Sequence, residues 1–386
     1  MRAFRLSRVI LAMTASVVLF AQACTTTPAT TPGPTGGGQA TPVATEAPTT
    51  KPVVTVRALL PFVRGPAFFA QMIAEQNGYF AEEGIDIRWE PSEGSSFAVQ
   101  QVIAGNADVA ITITDNAMLG FAQSPTFKNT YNMNGEATGH LNDTWALKSS
   151  GFDSMDDLRG SDIGVKDLAG GEVPGLRVAL QKVGLTEGTD YNIVPLGEDP
   201  AVQAEALSSG KVGAFRVTFL SLVAVKEAVA SQGDELVCIS CDESELISSL
   251  IIIASNDLIE NQPEVVAGLG RAIAKGTLFG LTNPEATVQI VMAAAPEQTD
   301  ADLVAAQLAA TLAQHEPGPP PADRNNFGYI NAEGLQNTMD VLLSPGNPSG
   351  LEAPIDLNAF HTNDFVDEYN DYDQAAIIAA AEDWTP

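Results

Sequence analysis

The stretch VVTVRALLPFVRGPAFFAQMIAEQNGYFAEEGIDIRW, residues 53–89, contains one complete strand–helix–strand unit. Apolar side chains alternate over 54–60, which is typical of a strand, and Pro61 ends that strand. Residues 66–80 then place apolar side chains on one helical face, up to an Asn-Gly stop signal. A second alternation over 85–89 predicts the next strand, so this unit predicts an α/β fold.

The pattern continues on the C-terminal side of this unit. It predicts a helix over 97–104, a strand over 108–114, and a third helix that is capped by Asp115 and Asn116. The order β-α-β-α-β-α with short links predicts a mainly parallel sheet that is covered by helices.

A second region repeats this order of elements. Residues 154–240 alternate between helix and strand patterns, beginning with the capping-box variant Ser154-Met155-Asp156-Asp157. The strings AGNADVAI (104–111) and SSGKVGAF (208–215) each join a helix, a glycine and a strand, which suggests two similar α/β lobes. A further strand and a long helix with Pro263 near its first turn follow, and the rest of the chain is predicted to be mostly helical.

The N-terminal residues have the pattern of an export signal. Arg2, Arg5 and Arg8 precede the apolar run VILAMTASVVLFA (9–21), which is shorter than the roughly 20 residues that a spanning helix needs. We therefore expect residues 1–23 to be a signal peptide.

The residues after this signal predict a lipid anchor and a tether. The string Ala21-Gln22-Ala23-Cys24 resembles a bacterial lipoprotein processing site, although Ala21 stands where Leu is usual, and it predicts lipidation of Cys24. Thr, Pro and Gly dominate residues 24–52, and such a composition cannot offset the entropy cost of ordering. We expect an exported protein on the outer face of the cell membrane; an ordinary secreted protein is the alternative.

The charge of the chain argues against one class of partner. The formal net charge is −29, from 48 acidic and 19 basic residues among 386. Phosphate binding needs clustered Lys and Arg, and the sequence has no basic run. We expect no nucleic-acid binding and interpret the acidity as a solvated surface, with a cationic ligand as the alternative.

Two further cysteines, Cys238 and Cys241, have C-x-x-C spacing. A structural zinc would need two more ligands, and the three histidines, His140, His315 and His361, are scattered. We therefore expect no metal and no cofactor. A local disulfide, which export permits, or two unreacted thiols in a turn are both compatible with this spacing.

Four strings in order resemble motifs of one protein family. The strings are IAEQNGYFAEEGIDI (73–87), AVQQVIAGNADVAI (98–111), SGFDSMDDLRGSDIGV (150–165) and LIENQPEVVAGLGRAI (258–273). They are similar to motifs of the substrate-binding proteins of ABC importers, and most similar to the NMT1/THI5-like group, whose members handle thiamine-precursor pyrimidines, riboflavin, sulfonates and nitrate-like anions. The resemblance covers roughly residues 54–295.

This resemblance implies a two-lobed periplasmic-binding-protein type II fold with the ligand in the cleft between lobes. We expect residues 53–130 plus 250–386 to form the first lobe and residues 145–245 to form the second. The hinge crossings are expected within 126–148 and 246–254.

A general rule locates the ligand loops without reference to the family. In open α/β sheets, ligands lie outside the carboxyl ends of the strands. This rule selects the loops over 62–66, 94–96, 112–116 and 166–174, together with the residues that end the next strand of the second region.

The candidate ligand-binding residues come from these loops, from the helix that follows the first loop and from the predicted crossing. They are Phe62, Arg64, Phe68, Ser95, Ser96, Thr112, Thr114, Asp115, Asn116, Trp145, Gly170, Gly171, Arg216 and Thr218. The rings can stack on a heterocycle or fill the core. The hydroxyl, amide and carboxyl groups can hydrogen-bond a ligand or cap helices. The two arginines can clamp an oxyanion or lie on the surface, and the glycine pair permits close backbone approach.

These observations together predict a monomeric solute-binding lipoprotein rather than an enzyme. It would capture a small molecule, with a pyrimidine or riboflavin-like heterocycle favoured by the aromatic residues, and deliver it to permease subunits that work with a cytoplasmic ATPase. The alternatives are a sulfonate- or nitrate-type oxyanion-binding protein, favoured by the arginines, a sensor that presents its ligand to a receptor, and a pyrimidine-synthesising enzyme of the same fold. The cysteine-rich motif of such enzymes is absent from the sequence.

Overall fold

A computed structural model of the chain describes residues 53–134, 141–241, 249–315, 320–344 and 351–386. The predicted signal peptide, the lipidation site Cys24 and the predicted tether lie outside the described residues. Within the described ranges, none of the helices combines the length and the hydrophobicity that crossing a bilayer would require.

The strands of the described residues form two five-stranded sheets. The strands are β1 (Val54–Leu60), β2 (Ile85–Pro91), β3 (Val109–Ile113), β4 (Phe127–Asn132), β5 (Asn142–Leu147), β6 (Ile163–Val165), β7 (Ile193–Pro195), β8 (Ala214–Thr218), β9 (Leu236–Cys238) and β10 (Leu250–Ser255). Sheet 1 has the order β2-β1-β3-β10-β4, and sheet 2 has the order β7-β6-β8-β5-β9.

The two sheets share one topology. In sheet 1, β1 is parallel to β2 and β3, while β10 runs antiparallel to both β3 and β4. In sheet 2, β6 is parallel to β7 and β8, while β5 runs antiparallel to both β8 and β9. Each sheet is therefore mainly parallel with one antiparallel strand. The similar strings around Gly105 and Gly210 precede β3 and β8, the middle strands of the two sheets, and both glycines have a positive φ that favours glycine.

Helices cover both sheets and form most of the C-terminal region. They are α1 (Phe69–Gln76), α2 (Tyr79–Glu82), α3 (Ser95–Ile103), α4 (Thr114–Gln123), α5 (Glu172–Lys182), α6 (Pro200–Ser208), α7 (Phe219–Ser231), α8 (Asn256–Asn261), α9 (Pro263–Thr282), α10 (Pro284–Ala294), α11 (Ala301–Ala313), α12 (Ala332–Leu342), α13 (Leu357–Phe360), α14 (Val366–Tyr369) and α15 (Gln374–Glu382). Short 3-10 helices lie at Pro66–Phe68, Lys148–Ser150, Met155–Leu158 and Pro321–Asp323. The predicted capping box at Ser154 is present.

The long helix α9 is buried along most of its length and packs against α1. A Cβ on Gly276 would lie 3.0 Å from the carbonyl carbon of Ala70, so the two helices approach too closely for any larger residue there. This packing, together with α10, α14 and α15, builds one apolar core beside sheet 1.

The order of the described strands takes the chain from one sheet to the other twice. The first passage joins β4 to β5, and the second joins β9 to β10. The predicted crossing range 126–148 therefore includes β4 and β5 themselves as well as their connection, and the range 246–254 includes most of β10.

Candidate ligand-binding cleft

A cavity of about 150 Å³ lies between the two sheets. Its lining comes from residues that follow β1, β2, β6 and β7 or that end β3 and β8, at the carboxyl edges of both sheets. The lining residues are Pro61, Phe62, Ser92, Glu93, Gly94, Ser95, Ile113, Lys166, Asp167, Gly170, Gly171, Glu172, Gly197, Glu198 and Thr218. The four loops that the rule for open α/β sheets selected all contribute to this lining, and the loop after β7, which was not selected, adds Gly197 and Glu198.

Five of the candidate ligand residues line the cavity. They are Phe62, Ser95, Gly170, Gly171 and Thr218. Thr218 also caps α7, because its hydroxyl accepts a hydrogen bond from the Ser221 backbone N–H at 3.3 Å. The capping role and the lining role therefore occur together at this residue.

A second group lies directly behind the lining and is almost fully buried. The Thr112 hydroxyl donates to the Ser95 carbonyl at 3.2 Å, and the Thr114 hydroxyl donates to the Ser249 carbonyl at 3.1 Å. The Asn116 amide donates to the Ser96 hydroxyl at 2.7 Å. Thr112, Thr114 and Asn116 are not among the lining residues. The contacts of Thr112 and Asn116 join β3 and α4 to the start of α3, and the contact of Thr114 joins α4 to the residue before β10.

Two aromatic candidates lie outside the lining, Phe68 in the core and Trp145 partly buried. Phe68 is fully buried, and its ring centroid lies 4.9 Å from that of Phe62, so it supports the lining ring from behind. Trp145 is in β5 and lies outside the lining; the Lys226 ammonium lies 4.3 Å from the centroid of its ring.

The two candidate arginines also lie outside the lining. The Arg64 guanidinium forms an ion pair with Glu75 on α1 and donates to the Trp89 carbonyl at 3.4 Å. Arg216 is 2% exposed, and its Nη1 donates to the Thr144 hydroxyl at 3.1 Å. A Cβ on Gly175 would lie 3.3 Å from Arg216 Nη2 and 3.9 Å from Asp115 Oδ2, so the structure brings these two candidates together beside α5.

Lys166 supplies the positive charge of the lining, and it was not among the candidate residues selected from the sequence. Its Nζ lies 2.6 Å from Glu198 Oε2 and 4.8 Å from the centroid of the Phe62 ring, so it spans the cleft from sheet 2 to sheet 1. Lys166 begins the predicted loop over 166–174, and Glu198 follows β7. The same strand-end rule, applied to the predicted strand that became β7, would have selected Glu198.

Glu172 is a second lining residue that the prediction did not single out. It is 5% exposed and is the first residue of α5. Its Oε1 accepts a hydrogen bond from the Lys166 backbone N–H at 2.9 Å. Burial raises the pKa of the Glu172 carboxyl, while hydrogen bonds from the backbone at Glu172, Lys166 and Asp167 and the charge of the Lys166 ammonium oppose that rise.

The loops of the two sheets touch at the edge of the cavity. The Ser96 backbone N–H donates to the Ala169 carbonyl at 3.3 Å. Gly171 lies against Ile113, since a Cβ on Gly171 would lie 2.9 Å from Ile113 Cγ1. These contacts join the loop after β6 to the loops after β2 and β3.

A disulfide joins Cys238 and Cys241 beside β5. The side chain of Asp143 lies near both sulfur atoms. Sulfur atoms in a disulfide are not thiolates, so this group does not present the ligand set of a structural zinc site.

The sequence of this chain matches one family model over residues 66–287, and that model is described as NMT1/THI5 like. The chain belongs to the NMT1/THI5-like family. The match covers more than half of the chain, and it confirms the family that the four sequence strings indicate.

Two relatives of this chain are named after the molecule that they bind. The riboflavin-binding protein RibY of Chloroflexus aurantiacus is 24% identical over 358 residues, which cover 91% of this chain and 95% of the relative. The formylaminopyrimidine-binding protein of Halalkalibacterium halodurans is 22% identical over 240 residues, which cover 62% of this chain and 70% of the relative.

Solved structures confirm the predicted fold class. A protein from Bordetella bronchiseptica RB50 superimposes with a TM-score of 0.63 at 20% identity, covering 82% of this chain and 96% of that one. The periplasmic aliphatic sulphonate binding protein SsuA of Escherichia coli gives a TM-score of 0.57 at 15% identity, covering 79% of this chain and 91% of that one. The NMT1/THI5-like chain therefore has the periplasmic-binding-protein fold.

Proposed function

We propose that this chain is the extracytoplasmic solute-binding protein of an ABC importer and that it captures a nitrogen heterocycle. The observation that carries this proposal is the cavity itself, whose lining comes from the strand ends of both sheets. A molecule between the sheets would contact both of them at once, so binding would favour the arrangement in which the loops touch. The names of the two relatives support a binding role.

The charges of the lining favour a heterocycle over an oxyanion. The Lys166 ammonium stands among four carboxylates, which belong to Glu93, Asp167, Glu172 and Glu198. A sulfonate or nitrate would meet net negative charge, and the two arginines that favoured an oxyanion lie outside the lining. A heterocycle can use the Phe62 ring for stacking and can donate N–H groups to the carboxylates.

The remaining parts of the proposal follow the sequence. We propose a signal peptide over 1–23, a lipid anchor on Cys24 and a tether over 24–52, with delivery to permease subunits and their ATPase. The lobes would be 53–130 plus 250–386 and 145–245, and the two passages between the sheets would act as the hinge. We propose that the protein works as a monomer. We also propose that it catalyses no reaction, because the two relatives named after their ligands are named as binding proteins.

A thermal-shift screen of the purified protein tests the proposal. The panel holds aminopyrimidines, riboflavin, taurine and alkanesulfonates at matched ionic strength. A ligand at 100 times its Kd should raise the free energy of unfolding by about 2.7 kcal/mol. We expect a shift with one heterocycle class, loss of that shift in Phe62→Leu, and no loss in the control Arg64→Gln.

Two results would contradict parts of this proposal. A shift with sulfonates alone, abolished by Arg64→Gln, would replace the heterocycle by an oxyanion. The absence of a shift with every compound would remove support for the proposed ligand classes and would favour a different cargo or a sensor.

A further inference from the structure

The Glu172 carboxylate occupies an unusual position on the sheet 2 wall of the cleft. It lines the cavity and is nevertheless 5% exposed, because the loop between β6 and α5 wraps around it. A Cβ on Gly170 would lie 2.7 Å from the Glu172 carboxyl carbon and 2.8 Å from the Asp167 carbonyl oxygen. The loop therefore fits closely around this carboxylate, and only glycine is accommodated at position 170.

Backbone N–H groups converge on the same carboxylate. The Lys166 N–H donates to Glu172 Oε1 at 2.9 Å, and the backbone at Asp167 and at Glu172 itself lies near enough to this carboxyl group to lower its pKa. The residue that caps α5 is Gly171, which has no side chain to satisfy the first N–H groups of the helix. Glu172 supplies the negative charge that the N-terminal end of α5 favours.

Converging N–H groups at a helix start, next to a lysine, form an arrangement that binds anionic groups. In this protein the anion is a side chain of the chain itself. An external oxyanion on this wall would have to displace a carboxylate that is held by the backbone, and it would be repelled by that carboxylate's charge.

We propose that Glu172 is a specificity-determining residue that fills an anion site on the sheet 2 wall from inside and thereby excludes oxyanions from the cleft. The inference deepens the proposed function, because it concerns the same cleft and explains why a binding protein of this family would accept a heterocycle and reject a sulfonate. Its test uses small anions as probes and does not require the natural ligand.

The test compares wild type with Glu172→Ala and Glu172→Gln. Each protein is titrated with sodium formate, acetate or sulfate against sodium chloride at equal ionic strength, with binding followed by calorimetry and by Tm. We expect Glu172→Ala to bind formate or acetate about tenfold or more tightly than wild type, because the emptied N–H groups regain a charged acceptor. The amide of Glu172→Gln still fills the site but carries no charge, so this variant should gain much less anion binding than Glu172→Ala.

Glu198→Ala is the matched control. Glu198 also lines the cavity and pairs with Lys166, but its side chain is half exposed and lies outside the loop that wraps Glu172. This variant frees the Lys166 ammonium but leaves Glu172 on the Lys166 backbone N–H, so it should gain clearly less anion binding than Glu172→Ala. An equal response of wild type and Glu172→Ala, or an equal gain in Glu198→Ala, would overturn the proposal.

Folding of the alanine variant does not limit the test. If Glu172→Ala is not recovered folded, it is refolded in formate and in chloride, and Glu172→Ser is taken through both conditions beside it. Recovery in formate alone supports the proposal, and failure of both variants in both salts overturns it. If Glu172→Ala gains anion binding but wild type binds none of the heterocycles, the proposed anion site stands and the proposed ligand class is wrong.

Discussion

Replacement of Gly171 by alanine tests whether contact between the loops of the two sheets controls closure of the cleft. Gly171 precedes α5 on the sheet 2 side and lies against Ile113, the last residue of β3 in sheet 1. Its φ of −66° and ψ of −19° are helical values that alanine adopts without strain. Gly171→Ala should therefore act through the contact between the loops and not through its own backbone.

The size of the effect follows from the space beside Gly171. The new Cβ would lie 2.9 Å from Ile113 Cγ1 and 3.0 Å from Ser95 Oγ, whereas carbon atoms rest about 3.5–4.0 Å apart. Overpacking of this kind typically costs about 1–3 kcal/mol. That cost applies only while the loops touch, so the population with touching loops should fall by about 5- to 150-fold relative to the open form.

Small-angle X-ray scattering measures this change without a ligand. We expect a larger radius of gyration for Gly171→Ala than for wild type and little change in the midpoint of urea unfolding. The double variant Gly171→Ala/Ile113→Ala removes the nearest carbon atoms of the partner and should return the radius of gyration toward the wild-type value. The single variant Ile113→Ala is the control for loss of the side chain alone.

Two outcomes would refute this reasoning. A radius of gyration equal to that of wild type would show that the loops accommodate the methyl group without separating. An increase that Ile113→Ala fails to reverse would show that the substitution disturbs the loop after β6 and not its contact with β3.

Three further predictions concern stability. Lys166→Met removes a nearly buried ammonium that contacts an aromatic ring and forms an ion pair, so it should lower the free energy of unfolding by about 1 kcal/mol in urea titrations. The control Lys148→Met removes an exposed ion pair and should leave the free energy of unfolding unchanged. Burial lowers the pKa of His315 to about 4, so between pH about 6.5 and 4 the unfolded chain takes up a proton that the folded chain does not. The free energy of unfolding should therefore fall by about 3 kcal/mol between pH 6.5 and 4. His315→Gln should remove most of this dependence of the free energy of unfolding on pH. Reduction of the Cys238–Cys241 disulfide should lower the free energy of unfolding by about 2 kcal/mol, and a Cys238→Ser/Cys241→Ser variant should show no response to reductant.

The order of elements could be predicted because each element has a local signal. Alternating apolar residues mark β1 and β2, and the strings around Gly105 and Gly210 mark the approach to the two middle strands. The antiparallel placement of β10 could not be predicted, because strands that are distant in sequence pair through contacts that no local pattern encodes.

The cleft loops could be predicted more reliably than the individual residues. The strand-end rule depends only on topology, and it selected the loops that supply Phe62, Ser95 and Gly171. The direction of a long side chain depends on its neighbours in space. Arg64 meets Glu75 on α1 and turns away from the cavity, while Lys166 meets Glu198 from the loop after β7 and remains in it. No sequence spacing distinguishes these two cations.

The two walls of the cleft differ in polarity because the helices that start there begin differently. On the sheet 1 side, Glu93 is the one lining carboxylate, and α3 starts at Ser95 with no acidic residue in its first turn and no side-chain cap. On the sheet 2 side, Glu172 is the first residue of α5, and the Asp199 carboxylate caps the start of α6. A bound molecule should therefore turn its hydrogen-bond acceptors toward Ser95 and its N–H donors toward the carboxylates. A heterocycle with acceptors on one edge and donors on the other can hydrogen-bond both walls at once. A symmetric oxyanion has only acceptors and can hydrogen-bond only the sheet 1 wall.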